Sequence, residues 1–90
     1  MHKLERWQKF SKGQQIGAIG AELMRAKVFQ EKDKKEFLSS IERIIELIDL
    51  SLEDNRWQGW RSMLLGFRDE ICKFYLGINK NSIDFIFSGL

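Results

Sequence analysis

Arg61 and Arg68 lie two helical turns apart, with Trp57 and Tyr75 on the same projected face. Guanidinium forks match the geometry of phosphates and carboxylates, and aromatic rings beside them can stack on a nucleobase. One reading is therefore an anion or nucleic-acid site lined by Arg61, Arg68 and Arg56. The other starts from where a helix places them. At about 100° per residue, both arginines fall between an apolar seam (Trp60, Leu64, Phe67, Ile71) and a second apolar strip (Leu65, Cys72, Leu76). An arginine in such an arc needs a partner or a route to water. Glu42, Glu46, Asp49 and Glu53 form an acidic row upstream, and Glu22 adds a further carboxylate. Interhelical arginine–carboxylate bridges, with Asp49 as favoured acceptor, are the reading we prefer.

Glu22 and Arg25 form a second pair, at the i,i+3 spacing that gives solvated surface pairs on helices. Phe29 shares their polar side, so Ala18, Glu22, Arg25 and Phe29 could instead face a second subunit. Other chemistry finds little footing. Helical di-metal sites use Glu-x-x-His motifs, and the one histidine is His2. The acidic row could hold a hard cation only with ligands from another chain. Cys72 is the single cysteine and has no histidine at hand as a base, so a buried structural thiol is expected. No disulfide within the chain is possible, and no glycine-rich phosphate loop is present. A protein that is not an enzyme, with no cofactor or metal, is the expectation.

Helices must carry these residues. The chain has no proline, which favours long helices over many short strands. A short amino-terminal helix or turn, with Leu4, Trp7 and Phe10 in phase, is expected to fold back on the body. Ser11 with Gln14 reads as a capping box that opens a first long helix from about Lys12 to Glu31. Its apolar face is Ile16, Ile19, Leu23 and Ala26. Gly13, Gly17, Gly20 and Ala21 form an adjoining strip, and glycine inside a helix costs up to about 1 kcal/mol relative to alanine. Close approach of another helix would compensate for that. Asp33 caps a second helix, from about Lys34 to Leu52, with a stripe of Phe37, Ile41, Ile44, Ile48 and Leu52. Asp54, or Asn55 with Gln58, starts a third helix from about Arg56 to Leu76, closed by Gly77. Its seam runs Trp57, Trp60, Leu64, Phe67, Ile71 and Phe74, alternating three and four apart. After a turn at 79–81, Ser82 opens a short apolar piece of ambiguous type.

These elements predict one domain over residues 1–90: an all-α, three-helix antiparallel bundle with short terminal pieces. Ninety residues bury a limited fraction of their surface, and the apolar arcs of the second and third helices are wider than one packing stripe. Both point to completion of the bundle by a homodimer. A net charge of +2 is small for a nucleic-acid binder. No apolar run reaches the length of a membrane span, and the charged amino terminus has no signal-peptide core, so a cytoplasmic protein is expected.

The segments QQIGAIGAELMRA, IELIDLSLEDNRWQGW and RDEICKFYLG resemble a family of small uncharacterised prokaryotic all-helical proteins. That family shows a QIGxIGSExxRA pattern, then LDLTIxD, then an arginine-rich last helix. The resemblance covers about residues 14–76. It implies that Gln15, Gly17, Gly20, Glu22, Arg25, Asp49, Asp54, Arg61 and Arg68 are motif positions, and it implies no activity. Ala21 stands where the pattern has serine, and Ser51 where it has threonine. In architecture alone the chain is also similar to the helical HEPN proteins, whose arginine-to-histidine motif it lacks. Two functions follow as expectations: a non-catalytic protein-interaction or regulatory protein, or an anion or nucleic-acid binding module using the arginines of the third helix. For the second, exposed arginines on a continuous basic groove would be required.

Overall fold

The computed structural model describes residues 3–78 and Ile83, and it is all-α. Helix α1 (Lys3–Gln8) precedes α2 (Lys12–Phe29) and α3 (Lys34–Glu53). A 3-10 helix (Asn55–Trp60) then leads into α4 (Arg61–Tyr75). The α3 helix is the centre: α2 and α4 both pack on it, and α1 and the 3-10 helix lie against it. No helix of the described residues is long and apolar enough to cross a membrane.

The helix ends follow local chemistry. Gln14 N–H donates to Ser11 Oγ (3.1 Å) and Ser11 N–H to Gln14 Oε1 (2.9 Å), a complete capping box. Asp33 caps α3 by accepting from the Glu36 N–H at 3.2 Å. At the end of α4, Gly77 takes φ +75°, Gly77 N–H reaches the Phe74 carbonyl and Ile78 N–H the Lys73 carbonyl. That pair of bonds is a Schellman close, and its left-handed residue favours glycine.

The core joins Leu23 and Ala26 of α2, Phe37, Ile41, Ile44 and Ile48 of α3, Trp57, Leu64, Ile71 and Phe74, with Ile83 added from the tail. The rest of the predicted tail, the turn at 79–81 and the apolar piece around Ile83, lies outside the described residues.

Five expectations are corrected. The third helix does not begin at Arg56, because a 3-10 segment occupies its first turns. Asp54 accepts from the Arg56 N–H, and Trp57 N–H bonds the Asp54 carbonyl, which holds the start in i→i+3 geometry. The 3.6-residue projection therefore fails there, and Trp60 leaves the seam, 50% exposed, while Trp57 stays buried. The two indoles, eclipsed at i,i+3, share one cation: Lys12 Nζ sits 5.0 Å from the Trp57 ring and 5.9 Å from the Trp60 ring.

On α2, Ile16 is 58% exposed and Gln15 takes the interior position, for a reason given below. Among the described residues the small-residue strip meets no close helix: a Cβ placed on Gly17 or Gly20 would find nothing within 4 Å. Phe29 does not sit on an open polar side either, since it packs against the core.

Candidate functional site

Gln15 shows why a polar side chain displaced an isoleucine from the interior. It is 0% exposed and makes three hydrogen bonds. Trp57 Nε1–H donates to Gln15 Oε1 at 2.6 Å. Gln15 Nε2 donates to the Trp7 carbonyl at 2.8 Å and to Asp54 Oδ2 at 3.2 Å. The amide orientation follows from its partners, because an indole N–H can only donate and a carboxylate can only accept. Trp7 in turn donates through Nε1 to Ser51 Oγ (3.1 Å), and Ser51 donates to the Leu47 carbonyl (2.9 Å).

Asp54 anchors the other end of this network. It is 3% exposed and accepts from the Arg56 Nη2 at 2.7 Å and Nε at 3.2 Å. The remaining Arg56 donors reach the carbonyls of Phe10 (2.8 Å) and Gln8 (3.1 Å). The Arg56 guanidinium thereby holds the Asp54 carboxyl at about 2, against the opposing effect of burial; backbone Arg56 and Gln15 assist. Among the described residues, no buried side-chain nitrogen or oxygen is left without a partner. Asp54 and Arg56 thus lock α1 and the α2 start onto the α3–α4 junction. Arg56 is occupied and offers no fork to an added anion.

The remaining predicted residues separate. Arg68 binds Asp49 through Nε (2.6 Å) and Nη2 (3.3 Å), bridging α4 to α3. Asp49 pushes the Arg68 pKa further up. Arg68 Nη1 also lies 3.8 Å from the sulfur of Cys72, which is partly rather than fully buried as expected. Beside this bridge Tyr75 Oη donates to Glu42 at 2.9 Å, an interaction that raises the tyrosine pKa. Tyr75 is therefore tied to the acidic row. Arg61 is exposed at the start of α4 and joins no ion pair among the described residues. It does not meet Asp49, because α4 starts at Arg61 and the carboxylate is held by Arg68, two helical turns further along α4.

Arg25 also turns away from its expected partner. It pairs with Glu36 across the α2–α3 corner at 3.0 Å, and among the described residues Glu22 joins no ion pair. Glu22 instead lines a cleft of about 490 Å³ between α1, α2 and α3. Ala18 and Ala21 from α2 and Leu47 and Leu50 from α3 give it an apolar floor. Lys3 (2.9 Å) and Arg43 (3.2 Å) stand at its edge, both bound to Glu46, whose pKa is lowered chiefly by the Lys3 hydrogen bond. Arg6 completes the rim.

Sequence reasoning missed the roles of Trp7, Ser51 and Arg6. A glutamine one position off an apolar stripe, with two tryptophans elsewhere needing acceptors, was the available signal for the buried network. Among the described residues, no group of three acidic, histidine or cysteine side chains could hold a metal ion. No protein-family model matches the chain, and comparisons with curated proteins and with solved structures return no match.

Proposed function

We propose that this chain is a non-catalytic protein-interaction module that works as a homodimer in the cytoplasm. Its three long helices form an antiparallel bundle that the second copy completes. It belongs, on this reading, with the small prokaryotic helical proteins whose motif it resembles. One observation carries the proposal: beside the carboxylate-bound Arg68, α4 and the residues that follow it offer apolar side chains to solvent. Leu65, Tyr75 and Leu76, followed by Ile78, are exposed, while Arg68 beside them is held by Asp49. Exposed apolar patches of this kind mark protein contacts. Cytoplasmic residence rests on the lone thiol of Cys72.

Light scattering of the full chain at micromolar concentration tests the reading. A dimer is expected, and Leu65→Glu with Leu76→Glu should convert it to a folded monomer. A wild-type monomer would overturn the dimer. Exposed Arg61 keeps the anion-binding reading as the rival. Saturable, salt-sensitive binding of phosphate or an oligonucleotide that Arg61→Ala abolishes would establish that rival instead.

A further inference from the structure

The cleft between α1, α2 and α3 lies apart from the α4 face and is independent of the dimer. Its volume of about 490 Å³ is that of a small-molecule site, for which 300–1,000 Å³ is usual. Two small side chains, Ala18 and Ala21, line it on the α2 side, where a leucine would project into the space. Leu47 and Leu50 make the opposite part of the floor apolar. The charges at the rim divide into two sets. Glu46 is neutralised by Lys3 and Arg43. Arg6 on α1 and Glu22 on α2 are not: among the described residues neither joins an ion pair, and they do not pair with one another. Glu22 is partly buried, where an unmet carboxylate is costlier than on an open surface.

A bound molecule that satisfies this arrangement has an apolar body, a carboxylate for the guanidinium and an ammonium group for Glu22. We propose that the cleft binds a short apolar peptide with free termini, Arg6 taking its carboxylate and Glu22 its ammonium group. The paired forks of Arg6 suit a carboxylate, and Glu22 can accept from an ammonium group. The apolar side chains of the peptide rest on Ala18, Ala21, Leu47 and Leu50.

The test titrates full-length, isotopically labelled protein with the dipeptide Leu-Leu, followed by amide and methyl resonances. Saturable shifts confined to α1, α2 and α3 around the cleft are expected. Acetylating the amino terminus of the peptide, or amidating its carboxyl terminus, should each weaken binding about tenfold, the scale of one charge-assisted contact. Arg6→Gln should weaken binding of free Leu-Leu by a similar factor and leave the amidated peptide unaffected. Glu22→Gln should do the same for the acetylated one. Ala18→Leu should abolish binding with the helical circular dichroism retained. No saturable shift, or equal affinity for free and capped peptides on the wild-type protein, overturns the assignment.

Discussion

Replacing Gln15 by leucine keeps the side chain about the same size and removes its three hydrogen bonds. The damage is unequal. Among the described residues the buried Trp57 indole N–H has no other acceptor, and stranding a buried polar group costs about 1–3 kcal/mol. Asp54 keeps Arg56, so it loses the least. The Trp7 carbonyl loses the Gln15 donor but keeps the Phe10 N–H at 3.1 Å, so it stays paired. A loss of about 3 kcal/mol follows for Gln15→Leu. A chain of this length has about 5–13 kcal/mol in all, so the loss is large and corresponds to a fall in Tm of about 12–24 °C. Urea and thermal unfolding, read by circular dichroism, measure it. Trp57→Phe completes a double-mutant cycle, since it removes the stranded donor together with its acceptor. The double variant should be more stable than the summed single losses by at least about 1 kcal/mol. Additivity, or a cost for Gln15→Leu below about 0.5 kcal/mol, would refute the assignment of Gln15 as the acceptor that the interior requires.

The folded Asp54 carboxyl is depressed from 3.8 to about 2, so its contribution of about 2 kcal/mol is complete above pH 4 and disappears as pH falls towards 2. Unfolding midpoints in urea should drop over that window, and Asp54→Asn should flatten the fall; an unchanged slope would contradict the Asp54–Arg56 assignment. Gly17→Ala and Gly20→Ala meet open space and should each raise stability by about 0.4–1 kcal/mol. A destabilised but helical variant in thermal melts would show that another surface does approach that strip.

Much of the architecture was legible because it rests on periodicity and capping. Phe37, Ile41, Ile44 and Ile48 repeat at helical spacing and are buried, and Ser11 with Gln14, Asp33 and Gly77 mark the ends they were expected to mark. Errors arose where a local hydrogen bond changed the helical phase. Asp54 tightened the next turn, and Trp60 fell out of a seam that continued correctly at Leu64, Ile71 and Phe74. Gln15 was invisible to a hydrophobic rule, since its place inside depends on Trp7, on a different helix, and on Trp57 and Asp54, which lie about forty residues away in sequence. The Arg68–Asp49 bridge followed from projecting two neighbouring helices. Arg25 and Glu22 did not, because the competitor Glu36 stands on another helix and spacing along one helix says nothing of it.

The network around Gln15 and Asp54 links residues 7–15 with residues 51–57 through pairs separated by 39 to 48 positions. A small chain often closes such a loop with a disulfide, which acts largely by restricting the unfolded ensemble. This clasp is polar and exists only in the folded state, so the open chain keeps its full freedom and the clasp adds nothing there. The six residues of α1 are too few to persist as a helix alone. Once Trp7 and Arg56 part from Ser51, Gln8 and Phe10, the bonds that fasten this helix to the α3–α4 junction are lost. The amino-terminal segment and the α3–α4 junction therefore open as a single cooperative unit, although forty-odd residues of chain lie between them.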